Sequence, residues 1–173
     1  VATQNRVAGA AGAHVLASGG NAVDAAVATG FALAAWEPWN SGLGGVGYML
    51  IAMAGSDRVE VVDFSPISPR GLNPADYPLT GGIMKELFTW PAVLEDRNVH
   101  GPLSIAVPGH VDGMGLALER FGTKSWMEVL SPAIQIADRG IAVDWYLTLK
   151  VANVAPPPTR PPSTPNPWER QGS

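Results

Sequence analysis

Two features of this chain carry residue types that could do chemistry unaided: three histidines and a glycine-dense run. His14, His100 and His110 stand in separate segments, with neither His-x-x-x-His nor Glu-x-x-His spacing. That pattern does not assemble a metal site, and each reads better as a surface or hydrogen-bond-satisfied histidine. The chain has no cysteine, which excludes disulfides, thiolate metal sites and a cysteine nucleophile while leaving the redox compartment open. Gly42, Gly44 and Gly47 spell G-x-G-x-x-G. A dinucleotide turn needs a strand before it and a helix after it, so that pyrophosphate meets a helix N-terminus. Here the order is reversed, and the run reads instead as glycines that let the backbone pass close to another backbone or to a ligand and permit φ values closed to other residues.

The elements around these residues follow from periodicity and caps. Val7, Ala10, Ala11, Val15 and Leu16 recur at helical spacing between Asn5 and Ala17, and Gly19-Gly20 ends that helix. Asn21 is a good N-cap, Asp24 falls in the first turn, and Ala25 to Ala35 is apolar on nearly all faces, which predicts a buried second helix stopped by Glu37-Pro38. Tyr48 to Met53 reads as a buried strand, Ala54 to Asp57 as a turn, and Arg58 to Phe64, rich in β-branched residues, as its hairpin partner. From Ser65 to Pro108 prolines and glycines leave little periodicity, so this stretch is expected to be mostly loop, with short elements around Lys85 to Phe88. Long loops of this kind are commonly functional. Helices are expected at Gly109 to Phe121, Ser125 to Asp138 and Val143 to Val151. Beyond Ala155 the composition turns polyproline-like, so residues 1–155 read as the folded part and 156–173 as a linker or tail.

Composition narrows the class of function. Hydrophobic residues make up 46% and charged residues 15% of the 173, more apolar surface than one small domain normally buries, which points to a partner chain or segment. The net charge of -4 argues against a nucleic-acid partner, since counterion release needs a basic surface. No apolar run reaches the length of a membrane span; the longest, Ala25 to Trp36, reads as a core helix. Val1 opens directly on alanine-rich helical sequence, so an export signal is either removed or never made.

The order of these residues resembles a known family. Gly19-Gly20-Asn21-Ala22-Val23-Asp24-Ala25-Ala26-Val27-Ala28, then Glu37-Pro38, then Ser41-Gly42-Leu43-Gly44-Gly45-Val46-Gly47-Tyr48-Met49, is similar to the opening of the gamma-glutamyltranspeptidase family. Val107-Pro108-Gly109, Gly115 to Glu119, Phe121-Gly122, Pro132-Ala133 and Ala137 to Ile141 resemble its later helices, so the likeness runs from Val1 to about Leu149. The resemblance implies an α+β fold, part of the αββα sandwich of an N-terminal-nucleophile hydrolase, made as a precursor that cuts itself into two subunits. It implies a glutathione-hydrolase or γ-glutamyltransferase activity on small-molecule amides with no cofactor and no metal, and a periplasmic or secreted location if the family is followed, otherwise cytoplasmic. In such enzymes a new N-terminal threonine attacks the γ-glutamyl amide, its own amine serving as base.

Two departures from the family pattern qualify that expectation. The signature of a threonine followed by threonine or serine and then histidine is absent at Thr3, Thr29, Thr80, Thr89, Thr123, Thr148, Thr159 and Thr164. No catalytic nucleophile is therefore expected in this chain, and a small-subunit segment must supply it; a noncatalytic remnant domain is the alternative. Family members also place an arginine two residues after an aspartate at the end of the second strand to grip the substrate's α-carboxylate, where this chain has Asp63-Phe64-Ser65. A hydroxyl does not replace a bidentate guanidinium, which keeps open an acylase of the cephalosporin type. Ser65 and, five residues on, Arg70 are the candidate substrate-binding residues, with Arg97, His100 and a wall formed by Trp90 behind them.

Overall fold

The computed structural model describes residues 1–84 and 89–154. Val1–Arg139 forms one compact unit and the described residues from Gly140 to Val154 belong to a second. The first unit is a mixed α+β assembly of four helices and two small antiparallel sheets.

Helix α1 spans Arg6–Ala17, with Asn5 as N-cap accepting from the amides of Val7 and Ala8. Helix α2, Ala22–Trp36, starts at a reciprocal capping box: the Asn21 side chain accepts from Val23 and Asp24 amides, and Asp24 accepts back from the Asn21 amide. Capping satisfies amides that a helix start otherwise leaves without partners. The two helices approach closely because Gly12 has no side chain; a Cβ there would strike Thr29 Oγ1 and the Ala25 carbonyl. Val15, Val23, Val27, Ala28 and Phe31 form the helical side of the main core. Burying a side chain the size of Val27 or Phe31 contributes about 1.5–3 kcal/mol.

Strands β1, Gly47–Ala52, and β2, Val59–Phe64, pair antiparallel as the expected hairpin. Its inner face places Ile51, Val62 and Phe64 against α2 and α3 in the same core. Its outer face carries Tyr48, Leu50, Val59 and Val61, 56 to 70% exposed, with Ala52 at one end and the exposed Asp63 beside Tyr48 at the other. Both long edges of this two-stranded sheet are unpaired among the described residues. Helices α3, His110–Phe121, and α4, Trp126–Arg139, complete the unit.

The expected loop between Ser65 and Pro108 holds more structure than its composition suggests. Strands β3, Leu79–Ile83, and β4, Pro91–Val93, pair antiparallel with an irregular register, and short 3-10 turns lie at Pro74–Asp76, Leu94–Asp96 and Pro102–Ser104. Every residue of β3 is exposed, so local pairing rather than core burial holds it. The short elements expected at Lys85 to Phe88, and the tail expected at 156–173, fall outside the described residues.

In the second unit helix α5 spans Trp145–Val154, begun by Asp144, whose carboxylate accepts from the Leu147 amide at 2.8 Å. No described helix is long and apolar enough to cross a membrane.

Candidate functional site at the end of the second strand

Where β2 ends, the chain turns beside the N-terminus of α3 and the two form an open groove of about 410 Å³. Proximity of strand and helix is a matter of glycines. A Cβ on Gly109 would lie 2.8 Å from the Phe64 carbonyl oxygen, and one on Gly113 would collide with the Phe64 ring. Phe64, Ile67, Val107 and Leu116 give the groove apolar walls, and an isolated bridge between Ile67 and Val107, with the Val107 amide donating to the Ile67 carbonyl at 2.9 Å, ties the two margins together.

The groove's charged lining residues are Asp63 and Asp112. The Ser65 amide donates to Asp63 Oδ1 at 2.9 Å. Together with a hydrogen bond from the Ser65 hydroxyl, the larger influence, this holds the exposed Asp63 carboxyl below the ordinary aspartate range against a slight opposing effect of burial. Ser65 therefore lines the groove and is engaged with Asp63. Arg70 does not line it: it lies exposed on the turn closed by the Leu72 amide and Pro69 carbonyl at 3.0 Å.

The weaker candidates stand elsewhere. Arg97 donates twice to Glu95 Oε2, at 3.0 and 2.7 Å, and once to the Asp76 carbonyl at 3.3 Å, so its guanidinium staples the loop. His100 is exposed, and Trp90, 53% exposed, precedes β4. Of the threonines, Thr29 donates to the Ala25 carbonyl within α2, Thr80 to the Ala92 carbonyl, Thr148 to the Asp144 carbonyl and Thr123 to Asp24.

Asp24 was legible only as a helix-start residue, yet it is fully buried and joins elements about a hundred residues apart. Its Oδ1 accepts from the amides of Thr123 and Lys124 at 2.8 and 3.0 Å, and its Oδ2 from the Thr123 hydroxyl at 2.6 Å and the Asn21 amide at 2.7 Å. The Asn21 side chain meanwhile donates to the Phe121 carbonyl at 2.7 Å. Burial raises the carboxyl's pKa, but the hydrogen bonds led by Thr123 outweigh it and the net direction is down. Gly122 leaves room for this network, since a Cβ there would lie 2.7 Å from Asp24 Oδ1.

The glycine run does approach other backbone, as its sequence suggests, but uses no unusual φ. None of Gly42, Gly44, Gly45 or Gly47 has a positive φ. Instead the Gly45 amide closes a turn on the Gly42 carbonyl at 3.0 Å, and the Gly45 carbonyl accepts from the amides of Gly109 and His110 at 3.1 and 2.9 Å. His110 departs from the expected satisfied or surface histidine: it is 9% exposed and its Nε2 has no hydrogen-bond partner among the described residues. No sequence signal marked it, because its burial depends on where β2 and α2 meet α3. Among the described residues no three His, Asp or Glu side chains converge as a metal site would need.

Four helices around an antiparallel hairpin, a glycine turn at the strand entrance and a groove at its exit define a scaffold of mixed α+β class. The chain belongs to the gamma-glutamyltranspeptidase family, whose model matches residues 8–164. It is 38% identical over 144 residues to a glutathione hydrolase proenzyme of Pseudomonas sp. (strain A14), covering 83% of this chain and 23% of that protein. To an acylase ACY 1 proenzyme of Pseudomonas sp. (strain V22) it is 41% identical over 149 residues, covering 86% and 26%. The solved gamma-glutamyltranspeptidase from Pseudomonas nitroreducens complexed with L-DON superposes with a TM-score of 0.77 at 32% identity, over 88% of this chain and 42% of that one. The chain thus spans about a quarter of the length of these curated relatives.

Proposed function

We propose that this chain is the large-subunit, N-terminal part of a γ-glutamyltransferase or glutathione hydrolase, and that a segment outside it brings both the nucleophilic threonine and the strands that complete an αββα sandwich. The observation that carries the reading is the outer face of the hairpin. Tyr48, Leu50, Val59 and Val61 make this face apolar except at its Asp63 end, and strands buried on both faces carry such near-continuous apolar runs. In the completed enzyme the threonine hydroxyl oxygen attacks the amide carbonyl carbon while the threonine's own amine takes the proton. The amine leaving group departs with that proton, and water or an acceptor amine then cleaves the acyl ester. This chain contributes the wall at the end of β2 and the turn at the start of β1. Partners are accordingly the nucleophile-bearing segment and a small-molecule amide.

The groove favours a second reading alongside the first. Apolar walls with Asp63 and Asp112 as charged liners, and no arginine among the lining residues, suit an acyl chain other than γ-glutamyl, as for an acylase of another side-chain amide. Arg70 serves the first reading only if its exposed turn folds toward the groove. Assaying the complete protein with a γ-glutamyl anilide and with anilides of other acyl chains separates the two. Turnover of the others with none of the γ-glutamyl substrate would replace the first reading by the second. Under the first reading Arg70→Ala raises KM for the γ-glutamyl donor; an unchanged KM removes Arg70 from the site. Under the second, Ser65→Arg raises kcat/KM for carboxylate-bearing donors by about tenfold, the gain expected from a charge-assisted pair. If neither class of anilide is cleaved and no threonine signature follows in the reading frame, the chain is a noncatalytic remnant.

A further inference from the structure

His110 is a buried titratable group that the acyl-transfer reading leaves unused, and its surroundings are those of a neutral imidazole. Its ring meets the Phe31 ring edge-on at 5.4 Å and 70° and the Phe64 ring at 6.1 Å and 78°. On its α2 side Gly30 leaves room: a Cβ there would lie 3.7 Å from His110 Cε1 and 2.8 Å from Met114 Cε. A Cβ on Gly45 would lie 3.9 Å from the His110 Cβ, so the glycine turn rests directly on the residue. The backbone of the same residue, with Gly109, holds that turn through the Gly45 carbonyl.

We propose that His110 is an acid-sensitive latch: its neutral ring, packed against Phe31 and Phe64, fixes the residue whose Cβ and backbone amide hold the Gly42–Gly47 turn on the start of α3, and protonation loosens that docking. An imidazolium would need an acceptor at Nε2 that no described neighbour provides. On α2 Asp24 is committed to Asn21, Thr123 and Lys124, and Glu37 to Gln4 and Asn40. On β2 Asp63 is committed to Ser65, and Glu60 lies at the opposite end of the strand from Phe64. Helix α3 carries Asp112, Glu119 and Arg120, and α4, which reaches Phe31 through Trp126, carries Glu128, held by Ser125 and Lys124. None is hydrogen-bonded to Nε2, and the turn itself has no charged residue. Burial accordingly lowers the pKa of His110 below its ordinary 6.5.

The sign follows from that direction. The released state binds the proton more readily, so docking is complete above about pH 6.5 and weakens as pH falls from there toward the lower pKa of the docked state. The test is made on the complete polypeptide carrying these residues, by amide hydrogen exchange corrected for the intrinsic effect of pH. Protection of the Gly45, Gly109 and His110 amides should fall by up to about tenfold per pH unit below pH 6.5, the limit for one linked proton. In His110→Phe, which keeps an aromatic ring and cannot titrate, the fall should vanish at Gly45 and Gly109. An equal fall in the variant, or none in the unaltered protein, overturns the latch. Should His110→Phe not fold, NMR titration of the unaltered protein decides: a His110 midpoint at or above 6.5 overturns it equally, and one below 6.5 with turn amide shifts following the same midpoint supports it.

Discussion

The helical side and the hairpin side of this molecule draw on the same apolar residue types and reach opposite states. Around α2 the apolar residues are consumed: Val27, Ala28 and Ala32 have no exposure, and even the carboxylate of Asp24 is enclosed and fully hydrogen-bonded. In the hairpin only one face is consumed. Ile51 is 4% exposed while its neighbour Leu50, pointing the other way, is 70% exposed. Around α2 the described residues bury the apolar surface themselves, whereas the hairpin carries a second, largely apolar face that no described residue covers. An alternating strand with one wet face would place polar residues where Leu50 and Val61 stand.

Breaking the buried side should cost most. Asp24→Ala strips the acceptor from the amides of Asn21, Thr123 and Lys124 and from the Thr123 hydroxyl at once, and should destabilise the protein by about 3 kcal/mol or more, since each buried donor left unsatisfied costs about 1–3 kcal/mol. Chemical denaturation of the complete protein measures it, and a loss below 1 kcal/mol would mean that the junction relaxes to water. The same carboxyl sets an acid limit. Its folded pKa is depressed, so its contribution is fully present above the ordinary aspartate value of 3.8 and is lost as pH falls through the lower folded value. In Asp24→Asn the acid-induced loss of stability should be shallower in that window.

Breaking the open side should depend on context, which sharpens the contrast. Leu50→Ser removes an apolar side chain from the exposed face. Within residues 1–173 alone its effect on stability should stay within about 0.5 kcal/mol, as for surface substitutions generally. In the complete protein, where a second sheet would cover that face, it should cost about 2 kcal/mol, the scale of burying one leucine. Equal effects in both settings would remove the covered-face argument.

How much of this was legible in the sequence follows from how local each signal is. The starts of α1 and α2 are written in Asn5 and Asn21, because a cap needs only residues two or three positions away. The hairpin was legible for the same reason, its strands being joined by the short turn at Ala54 to Asp57. Strands β3 and β4 were not, since Gly81, Gly82 and Pro91 speak against strand, and an exposed β3 opposite a β4 that buries only Val93 leaves no periodic trace. The Asp24 to Thr123 bond spans 99 residues, and nothing local to either residue announces the other. The groove belongs to the same class. Ser65 was reachable as a position, but its setting beside Asp112 exists only because Gly109 and Gly113 let α3 close on Phe64.

The loop between these two sides supplies the smallest and most discriminating effect. Tyr77 donates its hydroxyl to the Leu103 carbonyl at 2.8 Å across 26 residues, bringing the Pro74–Asp76 turn beside the Pro102–Ser104 turn, while Arg97 reaches the carbonyl of Asp76. These bonds lie at the surface, where exchange with water leaves a net contribution of about 0.5–1.5 kcal/mol per bond. Tyr77→Phe keeps the ring and deletes only the donor, so it should lower stability by no more than about 1 kcal/mol. Its larger consequence should be local: a loop held by side-chain bonds rather than by a core opens without unfolding the helices. Limited proteolysis should therefore cut Tyr77→Phe faster between residues 65 and 108 while the helical segments keep their resistance. Simultaneous cleavage throughout the chain would instead tie this loop to the cooperative unit around α2.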